Sequence, residues 1–233
     1  VALPASATGN GTPVDAMIGA DILSCCALDI DYESQQFRLL RSGRLPFAGE
    51  RVPLRLTSGT NMYLAESTIA GQPVLSVLVD TGDGAAMTLT EATWGKIAPH
   101  GQPVTTTLAY GVGGPVTTGL TIVPAIGLGA VTADNVEVRI EDRGAFLSRA
   151  GVSGRIGTGL MQRYRVLLDP RAGTMVLAPG RGAGAAPVRS TSGLLLARTG
   201  QMLQVLHVMQ NSPAAQGGWR AGETICAVDD RPV

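Results

Sequence analysis

Apolar residues in this chain fall at alternate positions within short runs, and Gly-, Asp- and Pro-bearing turns separate the runs. A period of two predicts strands rather than helices, and hence a mainly β protein. Residues 51–56 and 63–69 read as a hairpin about Thr57-Ser58-Gly59. Residues 74–79 form a nearly continuous apolar run, the mark of a strand buried on both faces, and the run stops at Asp80-Thr81-Gly82. A strand resumes over 87–89, and Thr90 followed by Glu91 predicts a capped helix over 91–97. Further strands are expected at 104–110, 116–122 and 136–140. The first two are joined by a glycine-rich tip, Gly111-Val112-Gly113-Gly114, which follows Tyr110. The apolar stretch 121–131 is interrupted by Pro124 and is too short to span a bilayer.

The pattern repeats. Residues 14–40 and 152–178 align without a gap, the second 138 positions after the first. Ile18/Ile156, Gly19/Gly157, Ile22/Leu160, Leu23/Met161, Leu28/Val166, Ile30/Leu168, Asp31/Asp169 and Leu39/Leu177 agree in kind. Each copy predicts a short helical turn (21–25 and 159–163), a strand, an Asp-led turn and a second strand (37–40 and 175–177). A unit of this length is too long for a solenoid repeat and matches a duplicated lobe. Two hairpins of similar composition are the plainer alternative. Residues 179–191 are rich in Gly, Ala, Pro and Arg and read as a linker; residues 192–233 form a different unit.

Composition narrows the function classes. The 233 residues carry 18 Lys+Arg against 18 Asp+Glu, without the basic excess of a nucleic-acid binder. Charged residues make up 15% and apolar ones 45%, which excludes a disordered chain. Cys25, Cys26 and Cys226 have neither zinc-ligand nor framework spacing, and adjacent cysteines rarely pair, so no disulfide is expected. His100 and His207 lie far apart with no Cys at ligand spacing, so neither metal nor cofactor is expected; His207 reads as a surface or half-buried strand residue. Serine-hydrolase, dinucleotide and phosphate-loop motifs are absent. The chain opens without Met or a leader, which fits a processed protein or a fragment.

The sharpest feature is Val77-Leu78-Val79-Asp80-Thr81-Gly82. Asp80 can simply end a strand by accepting backbone N–H bonds, as Asp often does in turns. It can also be a catalytic carboxylate. The apolar strand into D-T-G, the glycine-tipped hairpin about thirty residues on, and the later Ile156-Gly157 together resemble the retropepsin-like aspartic peptidases. The resemblance covers residues 51–178 as a β-barrel lobe, with 1–45 as the back half of a preceding lobe. It implies that Asp80 is catalytic, that Thr81 buttresses the loop, and that Gly82 brings its N–H close to the carboxylate. Tyr110 to Gly114 would be the flap, and Ile156-Gly157 the strand packed beneath the loop. Such enzymes hold a water between two carboxylates, one base and one acid, whose titrations split because like charges cannot both ionise at close range.

The sequence departs from that pattern twice. One D-T-G is present, and the repeat places its counterpart before Val1, so the partner Asp is expected in a missing N-terminal half-lobe. Asp83 stands where the family has a small residue and is expected to face solvent. Residues 192–233, with Ser212-Pro213-Ala214-Ala215, Gly218 to Ile225 and Val228-Asp229-Asp230, resemble the start of a bacterial PDZ domain. There Gly193, Leu194 and Leu195 would offer amides to a peptide terminus. The helix closing that groove would follow Val233, so weak peptide binding is expected. The tandem order looks like bacterial aspartyl-protease family proteins, which implies secretion or a periplasmic location. The expected function is an aspartic endopeptidase acting on peptides or proteins, with this chain inert by itself. A homodimer pairing two copies of Asp80, or a non-catalytic peptide-binding scaffold, are the alternatives.

Overall fold

The computed structural model describes residues 15–111, 114–185 and 187–233. In chain order it begins with α1 (Ala20–Leu23), β1 (Ala27–Asp31), β2 (Gln36–Leu40), β3 (Glu50–Pro53), β4 (Arg55–Leu56), β5 (Tyr63–Ile69) and β6 (Gln72–Val79). Next come β7 (Met87–Thr90), α2 (Glu91–Ile97), β8 (Thr105–Gly111), β9 (Gly114–Leu128), β10 (Val131–Glu141) and α3 (Phe146–Ala150). Then follow β11 (Gly154–Ile156), α4 (Thr158–Met161), β12 (Tyr164–Asp169) and β13 (Thr174–Pro179). The chain finishes with β14 (Leu194–Thr199), β15 (Met202–Val208), α5 (Pro213–Gln216), β16 (Thr224–Ile225), β17 (Ala227–Val228) and β18 (Arg231–Pro232). The fold is mainly β, as the period-two patterning predicts. It divides into two units, residues 18–102 with 121–186, and residues 103–120 with 187–233.

The larger unit is built on a sheet that closes on itself. Its order is β4, β5, β6, β11, β7, β10 and residues 121–128 of β9, and β9 returns to β5 by pairing Gly127 with Thr68 and Ile126 with Ile69. Closure leaves no open edge in the ring. Ile69, Val77, Met87, Leu89, Ile126 and Ile156 are fully buried inside it. Side chains of this size contribute about 1.5–3 kcal/mol each on burial.

A second, antiparallel sheet runs β2-β1-β12-β13-β3. One face gives Leu28, Val166, Leu168, Met175 and Leu177 to the barrel core; the other holds Ala27, Leu167 and Val176 against Leu40 and Phe47. Of residues 1–45, expected in a separate lobe, the segment from Ile18 onward belongs to this unit and shares its core through Leu28. The hairpin expected from 51–56 and 63–69 forms only between β4 and β5, whereas β3 joins β13 in the other sheet. Buried Leu54, whose amide donates to the Gly173 carbonyl, is where the chain changes sheet.

The repeat is present in three dimensions. α1 and α4 occupy matching positions residue for residue, and their N-caps Gly19 (φ −102°, ψ −175°) and Gly157 (φ −114°, ψ −174°) share one backbone conformation. One expectation is corrected here: Cys25 and Cys26 form a disulfide with each other. Both lie in the turn that carries the chain from α1 into β1, a bend that brings neighbouring side chains together.

In the smaller unit β8 and the first part of β9 form a hairpin, β14, β15 and β16 form a sheet, and β17 pairs with β18. The hairpin is tied to the C-terminal residues: Thr105 Oγ1 donates to the Gln210 carbonyl (2.7 Å), and Thr106 Oγ1 lies 2.8 Å from His207 Nε2. His207 is half-buried on β15.

Candidate active site

β6 ends at Val79, and the amide of Asp80, the next residue, donates to the Ile156 carbonyl (2.9 Å). The chain then turns, the Asp83 amide reaching the Asp80 carbonyl (3.2 Å), and the Gly82 amide donates to Asp80 Oδ1 (2.9 Å). A Cβ on Gly82 would stand 3.3 Å from that oxygen, a tight contact that would push the carboxylate by a few tenths of an ångström. Asp80 is half-buried, while Thr81 is exposed and its hydroxyl makes no hydrogen bond among the described residues. The loop therefore presents one hydrogen-bonded carboxylate with a free oxygen at the end of a buried strand.

β11 supports this loop. It runs parallel to β6 (Val77 beside Gly154, Val79 beside Ile156) and antiparallel to β7 (Ile156 beside Met87, Gly154 beside Leu89), so it fills the gap between the strands on either side of the loop. Beyond it the α4 turn grips the loop's backbone. Gly157 N donates to Ala86 O (3.2 Å), Gly159 N to Ala85 O (3.1 Å), and Thr158 offers both its amide (2.7 Å) and its hydroxyl (2.8 Å) to Asp83 O. A Cβ on Gly157 would come within 2.4 Å of the carbonyl oxygens of Asp83 and Ala85. Glycine is required there by close approach, not by backbone angle.

Asp83 does not face solvent, contrary to expectation. Its side chain is nearly buried, accepts from the Ala85 amide (3.0 Å), and pairs with Arg155 Nε at 2.5 Å. A carboxylate in that setting needs a cation beside it, and β11 supplies one. Arg155 escaped the sequence reading, although its place directly before Ile156-Gly157 is the signal that could have found it.

The remaining expected positions belong to the smaller unit. Tyr110, Gly111 and Gly114 belong to the β8–β9 hairpin of the smaller unit, with Gly111 and Gly114 paired at its tip; Val112 and Gly113 lie outside the described residues. Gly193 has φ +82°, and its amide donates to Ser190 Oγ (3.0 Å), while that of Leu194 donates to Ser192 Oγ (3.3 Å). The amides expected to meet a peptide terminus are thus engaged within their own loop, and Leu195 pairs with His207 across β14 and β15. Among the described residues no cluster of three His, Cys, Asp or Glu side chains is placed to hold a metal ion, and no helix is long and apolar enough to cross a membrane.

No protein-family model matches the chain, and no curated protein matches it. Among solved structures it is similar to a retropepsin-like aspartic protease from Rickettsia conorii, at 11% identity and a TM-score of 0.38, over 57% of this chain and 94% of that one.

Proposed function

We propose that the protein is an aspartic endopeptidase in which Asp80 is one of two carboxylates that activate a water against a peptide carbonyl. The observation that carries this reading is the D-T-G loop itself. The loop ends a buried strand, is closed by the Gly82 N–H on Asp80 Oδ1, and is gripped from below by Gly157, Thr158 and Gly159. A loop held this tightly presents its carboxylate in one geometry, which general acid–base work requires. Asp80 as base would take a proton from the water, while the partner carboxylic acid protonates the carbonyl oxygen. Release of the amine then restores both groups. Residues 192–233 would form the start of a peptide-binding module.

Cleavage of an unfolded polypeptide by the wild-type protein and by Asp80→Asn tests the reading. The substitution should remove activity by about 10²–10⁴-fold while leaving the Tm unchanged. A rate rising with the square of protein concentration would assign the second carboxylate to a second copy, and a linear rate to the same polypeptide. Cleavage retained by Asp80→Asn overturns the assignment. Peptide binding without cleavage in both proteins would favour the scaffold alternative, for which the single D-T-G speaks.

A further inference from the structure

Cys25 and Cys26 close a disulfide at a sequence separation of 1, the smallest ring two cysteines can form. A disulfide that staples a fold does so by closing a long loop and so restricting the unfolded chain. This one ties no distant segments together, so stapling does not account for it. Its position suits chemistry instead. Cys25 is exposed and Cys26 half-buried, so a thiolate from solution can reach the Cys25 sulfur, the access that thiol–disulfide exchange requires.

What the ring holds is α1. That helical turn has four residues, none of them buried, and its N-cap Gly19 has no side chain with which to cap it. Helices this short do not persist by themselves. The equivalent turn in the second copy of the repeat, α4, buries Leu160 and Met161 and is fastened to the Asp80–Ala86 loop by Gly157, Thr158 and Gly159. In α1 the matching residues are Ile22, 57% exposed, and half-buried Leu23. Where the first copy has Cys25 and Cys26, the second has Arg163 and Tyr164, and Tyr164 is buried in the core. One copy thus ends its helical turn with packing and the other with a covalent bond. The last hydrogen bonds of α1 run into the ring. The Ser24 amide donates to the Ala20 carbonyl (3.0 Å) and the Cys26 amide to the Leu23 carbonyl (3.3 Å). Arg171 Nη1, from the turn between β12 and β13, donates to the Cys25 carbonyl (3.2 Å).

We infer that Cys25 and Cys26 are a reversible thiol–disulfide exchange site for an external dithiol, and that the oxidised form latches α1 in place. One thiolate of the reductant attacks Cys25 Sγ; the bond to Cys26 breaks, and Cys26 leaves as a thiolate and takes up a proton. The reductant's second thiolate then attacks its own sulfur in the mixed disulfide, and Cys25 leaves and takes up a proton. The reductant departs as a disulfide, having given two electrons and two protons to the cysteine pair. Without the ring, the bend over residues 24–26 is held only by the three hydrogen bonds above, and α1 frays. The two thiols stay adjacent in the chain, so an oxidised dithiol restores the bond by the reverse steps. Neither the exchange nor the latch rests on the peptidase reading.

The test uses the full chain carrying Cys226→Ser, which removes its one other thiol. Dithiothreitol in native buffer, followed by iodoacetamide and mass spectrometry, should label Cys25 and Cys26, and oxidised dithiothreitol should return the pair to an unlabelled state. On reduction the amides of Leu23, Ser24 and Cys26 should exchange hydrogen several-fold faster, while those of β6 and β11 keep their rates and the Tm is unchanged. Labelling of both cysteines before any reductant is added, or only after denaturant has unfolded the chain, overturns the exchange site. Unchanged hydrogen exchange in α1 on reduction overturns the latch. A Tm that falls by several degrees on reduction also overturns the inference, since it makes the bond a staple of the whole fold. As a second measure, the pair Cys25→Ser with Cys26→Ser should show the fast α1 exchange with or without dithiothreitol. A response to dithiothreitol in that variant would mean that the effect arises elsewhere, and the inference falls. Should the variant not fold, reduction of the parent protein decides without it.

Discussion

Gly157 and Gly84 lie at the two margins of the D-T-G loop and make opposite demands. A Cβ at Gly157 would collide with two backbone oxygens, whereas at Gly84 nothing stands within 4 Å and the backbone is not left-handed. Gly157→Ala should cost about 1–3 kcal/mol or more, the range for forced overpacking. Gly84→Ala should stay within about 0.5 kcal/mol of wild type. Urea midpoints for the two variants check this, and equal midpoints would mean that the α4 turn does not grip the loop. The same residues show what sequence can and cannot disclose. The Gly82 bond to Asp80 spans two positions, so it is written in the local motif. The Arg155 bond to Asp83 spans 72 positions, and nothing near Asp83 announces it.

At the scale of elements, the sheet β2-β1-β12 is pinned by buried carboxylates. Asp29 is held by Arg38 and Arg165, the latter also lying 4.7 Å above the Phe47 ring. Asp169 accepts from the Gly43 amide and the Ser42 hydroxyl, both at 2.7 Å. Burial raises both carboxyls, but hydrogen bonds from the two arginines at Asp29, and from Gly43, Ser42 and Ala172 at Asp169, outweigh it and hold each below 3.8. A depressed folded value stabilises the fold above the unfolded value and is lost as pH falls through the folded one. The Tm should therefore hold from neutrality to about pH 4 and drop below it. Asp29→Asn should lower the neutral Tm, by about 1–3 kcal/mol in stability, and flatten the acid limb. An unaltered limb would place the acid sensitivity elsewhere. Among the elements, α2 was legible because Thr90 caps it, its Oγ1 accepting from the Thr93 amide. α3 was not, because Ala145 offers no cap and Glu141, five residues away, receives the Phe146 amide instead. β9 continues through Pro124, where a break was expected. Pairing with β8 ends at Leu120 and pairing with β5 begins at Ile126, so the residue without an amide falls in the gap between partners.

For the molecule as a whole, the sequence disclosed a duplication but not how far apart in the chain the pieces of each unit lie. The smaller unit joins residues 103–120 to 187–233 across an excursion through the larger one. Trypsin should cut first in the segment 180–190, where Arg181 is almost fully exposed. The released C-terminal piece would then be held on the β8–β9 hairpin by the Thr105–Gln210, Thr106–His207 and Gln210–Thr106 hydrogen bonds. Such bonds contribute about 0.5–1.5 kcal/mol each, and a micromolar complex needs about 8 kcal/mol. The intact chain does not face that requirement, because covalent linkage supplies an effective concentration near the millimolar range. The nicked piece should therefore leave the remainder on gel filtration at micromolar concentration, while the uncut protein elutes as one species. Co-elution of the two pieces would mean that apolar contact between the hairpin and the C-terminal sheet, rather than these hydrogen bonds, holds the smaller unit together.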